Sequence, residues 1–212
     1  MSDAEKRGTV YVVDDDEAVR DSVSLLLETA GQTISSFESA TAFLEAFDPK
    51  MHGCLVLDIR MPGLSGIELQ AKLIEMGVYM PIIFITGHGD IPMAVEAMRK
   101  GAVNFIRKPF GENELLEGVH EALNLDMDQQ ANRANLDEAQ MLIEKLTPRE
   151  FEVFGRVASG QANKVVAIEL GISERTVEIH RGQVMHKTHS RSLADLVRLN
   201  LCMEQNGLMH SV

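Results

Sequence analysis

"LVLDIRMPG", residues 55–63, is an apolar run that ends on an aspartate and turns at once through Met-Pro-Gly. Leu55, Val56 and Leu57 have the uninterrupted hydrophobicity of a strand covered on both faces, and Asp58 stands where that strand stops. Working outward, the run reads as a strand over 54–58. Four further β-rich runs appear at "TVYVV" (9–13), "TISSF" (33–37), "PIIFIT" (81–86) and "AVNFI" (102–106). The segments between and after them carry apolar residues at helical spacing, as in Val19, Val23, Leu26, Leu27 and Ala30 of "EAVRDSVSLLLETA". Ser65 is placed to cap a helix over "GIELQAKLIEM", with Gly77 past its end. Pro92 falls in the first turn of the next helix and Gly101 after its last. Five strands in strict alternation with five helices predict a parallel, doubly wound α/β sheet over residues 1–124.

A different pattern starts near residue 146. Thr147, Pro148 and Glu150 form an N-cap, N1 and N3 set, a full capping box, at the head of "LTPREFEVFGRVASG". "NKVVAIELGIS", "SERTVEIHRGQVMHKTH" and "SLADLVRLNLCME" follow with no strand pattern. Four short helices, the second and third joined by a tight turn at Gly171, predict an all-α helix-turn-helix domain over 146–212. The intervening stretch 125–145 is polar and lacks Gly and Pro, which favours a helical linker.

Charge divides the chain the same way. Residues 1–145 hold 12 Lys and Arg against 25 Asp and Glu, net -13, whereas residues 146–212 hold 8 against 7, net +1, with four of the seven histidines. The first part should repel a polyanion that the second tolerates. No run of about 18 apolar residues is present, and the N-terminus lacks a signal-peptide core, so no membrane partner and a cytoplasmic location are expected. Cys54 and Cys202, far apart in apolar contexts, are expected to be buried free thiols.

In an open parallel sheet, ligands bind beyond the C-terminal strand ends where strand order reverses. Those ends are Asp14, Asp15 and Asp16 after the first strand, Asp58 after the third, Thr86 after the fourth, and Arg107 and Lys108 after the fifth. Three or four carboxylates, one hydroxyl and one ammonium should therefore share one rim. Crowded carboxylates without Cys or His favour a hard cation, Mg²⁺ or Mn²⁺. Such a cation and Lys108 would neutralise charge on a phosphoryl group in line with an oxygen of Asp58, the central carboxylate and candidate nucleophile. Asp16 has a simpler use as the N-cap of the first helix.

"VYVVDDDEAVR", "LVLDIRMPGLSGIEL", "IFITGHGD" and "AVNFIRKPF" resemble the receiver domain of two-component response regulators, a CheY/flavodoxin-like fold, over about residues 8–124. The resemblance implies that Asp58 accepts a phosphoryl group from a sensor histidine kinase. It implies Asp15 as a direct Mg²⁺ ligand, Asp14 as a ligand through water, and a third contact from the backbone carbonyl of Arg60. Thr86 would bond the phosphoryl oxygen and Lys108 would pair with it. A cis Lys108–Pro109 bond is also implied. Thr86 and Phe105 would be the switch, with Gly87 and Gly89 making the loop after strand four pliable. "TGHGDIPMAVEAM" is similar to the FixJ-like branch, which implies homodimerisation through the fourth helix and fifth strand on phosphorylation. The resemblance implies a regulator and not an enzyme, with the receiver assisting only its own phosphotransfer and dephosphorylation.

"LTPRE" and "NKVVAIELGISERTVEIHRGQV" resemble the LuxR-type helix-turn-helix over about 143–205, so promoter DNA is the second expected partner. On its third helix Val177 and Val184 point to one side, and Arg175, Glu178, Ile179, Gly182 and His186 share the other. Glu178 could accept from cytosine N4, Ile179 touch a thymine methyl, and Arg175 serve guanine or phosphate. Asn163, Lys164, Ser173, Thr176, His180 and Arg181 are candidate phosphate contacts. Two other readings remain at this level: a constitutive DNA-binding regulator indifferent to phosphorylation, and a Mg²⁺-dependent phosphatase or other hydrolase. The second needs an acid/base group beside Asp58, and no motif supplies one.

Overall fold

The computed structural model describes residues 8–87 and 91–208, so Gly89, expected to make the loop after strand four pliable, lies outside the described residues with the rest of 88–90. The chain divides into two compact units, one through Gln130 and one from Ala131 onward. In the first, β1 (Thr9–Val13), α1 (Glu17–Thr29), β2 (Thr33–Phe37), α2 (Ala40–Ala46), β3 (Gly53–Asp58), α3 (Gly66–Glu75), β4 (Ile82–Thr86), α4 (Ile91–Arg99) and β5 (Asn104–Arg107) alternate as expected. The strands lie in the order β2-β1-β3-β4-β5, all neighbours parallel. Chain order reverses at β1, between β2 and β3, which places the switch point beside the ends of β1 and β3.

Because side chains alternate along a strand, each central strand feeds two cores. Tyr11, Val13, Leu55, Leu57, Ile82 and Phe84 face one layer with Phe43, Leu69 and Leu73. Val10, Val12, Cys54, Val56, Ile83 and Ile85 face the other with Val23, Leu27, Leu115 and Val119. All of β3 and β4 is buried, which explains why those runs read as continuously apolar.

Strand five begins two residues later than its sequence suggests. Gly101 adopts φ +90°, and the N–H of Ala102 donates back to the carbonyl of Ala97, so Ala102 closes α4 before β5 starts. The helix α5 (Glu112–Ile143) is unbroken across the stretch expected to link the domains. It supplies Leu115 and Val119 to a core of the first unit, and Ala139 and Ile143 to that of the second. The second unit continues as α6 (Pro148–Ala158), α7 (Asn163–Leu170), α8 (Glu174–Lys187) and α9 (Leu193–Gln205). The capping box of Thr147 and Glu150 is present, and Gly171 ends α7 with φ 64°. Both cysteines are free; Cys54 is buried, with its thiol pKa pushed up by burial and then by the Asp126 charge. Cys202 is only half-buried, because α9 turns it to the margin of its core.

One glycine is decisive. A Cβ on Gly66 would stand 2.2 Å from the carbonyl oxygen of Asp58, and the Gly66 N–H donates to the Ile59 carbonyl at 3.0 Å. Only a residue without a side chain lets the start of α3 lie this close behind Asp58. Gly66→Ala is expected to destabilise the first unit by about 1–3 kcal/mol in denaturant unfolding; an unchanged midpoint would contradict this contact.

Candidate functional site

At the switch point three side chains from three strand ends meet. Lys108 Nζ donates to Asp14 Oδ2 at 2.5 Å and to Asp58 Oδ1 at 2.8 Å. Asp58 Oδ2 accepts the Arg60 N–H at 2.6 Å, and Asp14 Oδ1 accepts the Asp16 N–H at 3.0 Å. Arg20 adds a contact that the sequence did not suggest, donating to the Asp14 carbonyl at 2.7 Å. Asp14 and Asp58 are buried, at 1% and 5% exposure, and so is Thr86. The Thr86 carbonyl accepts the Lys108 N–H at 2.7 Å, tying the ends of β4 and β5 together just before a cis Lys108–Pro109 bond.

Burial sets the electrostatics. It pushes the Asp58 pKa up, and the hydrogen bond and charge of Lys108 only partly reverse this. Burial works against the charge on Lys108 too, but hydrogen bonds to Asp14 and Asp58 outweigh it and leave the ammonium pKa raised. The other predicted residues differ in burial and use. Asp15 is exposed at the rim. Asp16 caps α1, accepting from the Ala18 and Val19 N–H groups at 2.9 and 3.4 Å. Phe105 is half-buried against the core beneath α3 and α4.

Among the described residues no three Asp, Glu, His or Cys side chains gather closely enough to ligate a metal by themselves. The rim nevertheless fits a hard divalent cation. Asp14 and Asp58 bring two buried negative charges against the one positive charge of Lys108, Asp15 follows Asp14 directly in the chain, and every carboxylate donor is oxygen. Mg²⁺ uses only one or two carboxylates and fills its remaining positions with water and phosphoryl oxygens.

In the second unit α8 presents the predicted face. Val177 and Val184 are buried, while Arg175, Glu178, Ile179, Gly182 and His186 are exposed. A Cβ on Gly182 would meet nothing within 4 Å, so this point of the helix is open to close approach. Several predicted contacts already have partners inside the unit. Arg175 pairs with Glu178 at 3.3 Å, and Arg181 donates to Asn163 Oδ1 at 3.3 Å. Ser173 Oγ caps α8 by accepting the Thr176 N–H at 3.1 Å. Lys164 is exposed; His180 is half-buried.

An ion pair unreadable from local sequence locks the helix in place: Lys187 Nζ lies 2.6 Å from Glu150 Oε2, whose carboxylate also accepts the Thr147 N–H at 2.8 Å. The hydrogen bond from Lys187, then that from Thr147, holds the Glu150 pKa below its ordinary 4.5. A lowered carboxylate pKa stabilises the fold fully above the ordinary value, and the gain disappears as pH falls through the lowered one. The second unit should therefore lose stability on acidification below about pH 4.5, and Glu150→Gln should flatten that limb of the unfolding profile. An identical acid limb in the variant would contradict the role of this pair.

A receiver sheet with a closed Asp–Lys–Asp rim, together with a helix-turn-helix unit, is the architecture of a signalling regulator. Comparison with known proteins makes this specific. Residues 10–120 match the response regulator receiver domain, and residues 144–200 match the bacterial regulatory proteins of the luxR family. The chain is 46% identical to the response regulator protein TmoT of Ectopseudomonas mendocina, covering 94% of this chain and 90% of that one. It is 45% identical to Nodulation protein W of Bradyrhizobium diazoefficiens, over 94% and 88%. It is 43% identical to the transcriptional regulatory protein FixJ of Rhizobium meliloti, over 91% and 95%. Among solved structures, the response regulator StyR aligns with a TM-score of 0.80 at 48% identity, over 90% of this chain and 96% of that one. Full-length FixJ of B. japonicum aligns with 0.58 at 40% identity, over 96% and 98%. The chain belongs to the response-regulator family with a LuxR-type DNA-binding domain, in its FixJ-like branch. It is a transcription regulator of a two-component system, which implies a sensor kinase and DNA as partners. Among the described residues no helix is long and apolar enough to cross a membrane.

Proposed function

We propose that Asp58 is the phosphoacceptor, that a sensor histidine kinase supplies the phosphoryl group, and that the phosphorylated chain pairs with a second copy to bind promoter DNA through α8. The observation that carries this reading is the Asp14–Lys108–Asp58 contact at the sheet's switch point. Burial makes the Asp58 carboxylate poorly solvated, which leaves its oxygen with less hydration to shed when it attacks phosphorus. Attack forms the acyl phosphate bond as the bond to the donor's imidazole nitrogen breaks, and the electron pair leaves with that nitrogen. Lys108, already bonded to Asp58 Oδ1, holds its positive charge where charge on the transferring group develops. A Mg²⁺ or Mn²⁺ ion bound at Asp15 and Asp58, through water at Asp14, and at the Arg60 carbonyl would supply further charge neutralisation. Reversal by water would make the receiver its own phosphatase, with no other substrate.

Phosphorylation replaces one carboxylate with a group bearing about two negative charges. Thr86 would turn its hydroxyl to that group, Phe105 would follow inward, and the surface of α4 and β5 would become the dimer contact. Under this reading the receiver occupies 1–124, a helical linker 125–145 and the DNA-binding domain 146–212. The second unit is nearly neutral, so one copy should bind weakly and two linked copies should gain affinity by engaging two half-sites. Arg175, Glu178, Ile179 and Gly182 would face the bases, with Asn163, Lys164, Ser173, Thr176, His180 and Arg181 toward phosphates.

Mg²⁺ with beryllofluoride, which mimics the acyl phosphate, is expected to shift the full chain toward dimer and tighten selected DNA at least about tenfold, or about 1.4 kcal/mol. Asp58→Asn should do neither. Equal mass and affinity with and without the mimic would favour the constitutive regulator instead. In footprinting, Arg175→Ala should lose sequence preference; an unaltered footprint would remove it from the reading face.

A further inference from the structure

Gln70 is a buried amide that the chemistry at Asp58 does not use. It lies in the middle of α3 at 2% exposure. Its Nε2 donates to the carbonyls of Ala97 at 3.2 Å and Lys100 at 3.4 Å, both at the C-terminal end of α4. Helix ends leave carbonyls without intrahelical partners. Here backbone N–H groups of Lys100, Gly101 and Ala102 return to Glu96, Ala97 and Met98, and Gln70 adds a side-chain donor from a neighbouring helix to the carbonyls of Ala97 and Lys100. The other half of the amide differs: among the described residues the buried Oε1 has no hydrogen-bond partner. An unpaired buried acceptor is costly, and a methionine of similar reach would fill the space without that cost. What distinguishes Gln70 from an apolar filler is its donor group.

The opposite end of α4 starts at Ile91, shortly after Thr86 in the chain. Nine residues at about 1.5 Å each put that end about 14 Å from the Gln70 contact. We propose that Gln70 is a positioning residue that pins the C-terminal end of α4 to α3, so that rearrangement at Thr86 moves α4 as a lever about that end. A fixed end confines displacement to the half of the helix nearest the phosphorylation site and to its exposed Val95. Without the pin, the same event would loosen the helix along its whole length. The inference rests on the proposed phosphorylation of Asp58.

The test is amide hydrogen exchange on the full chain, with wild type, Gln70→Met and Gln70→Glu, each with and without Mg²⁺ and beryllofluoride, alongside dimerisation constants. In resting Gln70→Met, amides of Lys100, Gly101 and Ala102 should exchange about tenfold faster, the factor of one hydrogen bond of ordinary net strength, while β1, β3 and β4 stay unchanged. Gln70→Glu, which places an acceptor against two carbonyls, should show a larger effect. The gain in dimerisation on adding the mimic should fall by a similar factor in both. Unchanged exchange at those amides overturns the proposal. So does acceleration spread evenly over the unit, or a wild-type response to the mimic despite faster exchange. Should neither variant fold, wild type alone decides: on activation the first turns of α4 should change exchange while Lys100–Ala102 keep protection, and lost protection there overturns it. A wild type that fails to dimerise with the mimic would refute the phosphorylation reading. The resting-state exchange would then still decide whether Gln70 pins α4.

Discussion

The ammonium of Lys108, held between two buried carboxylates, is the interaction on which the receiver depends. Burying Asp14 and Asp58 side by side costs several kcal/mol per ion unless charge and hydrogen bonds repay it. Lys108 supplies one positive charge to both, and the backbone N–H groups of Arg60 and Asp16 supply the rest. The repayment is incomplete at Asp58, whose pKa stays above the ordinary carboxylate value. The raised pKa means that ionised Asp58 lowers folded-state stability at neutral pH, a penalty relieved as pH falls through that value. The sign for Lys108 is opposite in effect: its raised pKa stabilises the fold at every pH below 10.5 and is lost only as pH climbs through the raised value. The site is thus a stable scaffold built around one unsettled carboxylate.

The surrounding fold serves to hold that arrangement. The reversal of strand order at β1 brings Asp14 and Asp58 onto adjacent strands, and the parallel pairing of β4 with β5 carries Lys108 to the same rim. Gly66 permits α3 to approach the backbone of Asp58. In the second unit the corresponding constraint is the Glu150–Lys187 pair, which fixes the last turn of α8 against the cap of α6. With Arg149–Glu152, Arg156–Glu169 and Arg198–Asp195, that pair and Arg175–Glu178 commit five of the eight Lys and Arg residues of 146–212, in keeping with the net charge of +1 over that stretch.

Most of the architecture could be read from the chain because local rules and tertiary demands agree. Continuous apolar runs marked β3 and β4, and Ser65, Thr147 and Gly171 marked helix ends where they occur. The start of β5 differs from the sequence reading because the β-branched Val103 continues the strand pattern backwards, whereas the Gly101 turn commits Ala102 to closing α4. The rim residues were readable as strand ends, but their grouping was not. Of the three or four carboxylates that the strand ends suggest, Asp14 and Asp58 meet through Lys108, Asp16 caps α1, and Asp15 is exposed. Gln70, Gly66 and Lys187 act through partners distant in sequence or through backbone approach, and no local pattern reports such contacts.

Of the two carboxylates bonded to Lys108, Asp58 and not Asp14 is the one proposed to react. Incubation with Mg²⁺ and acetyl phosphate, followed by borohydride reduction and peptide mapping, converts a phosphorylated aspartate to homoserine at its own position. Homoserine at position 58, absent when Mg²⁺ is withheld, is the predicted result. Homoserine at position 14 or 15 with Asp58 intact, or no conversion in the wild-type chain, would contradict the account.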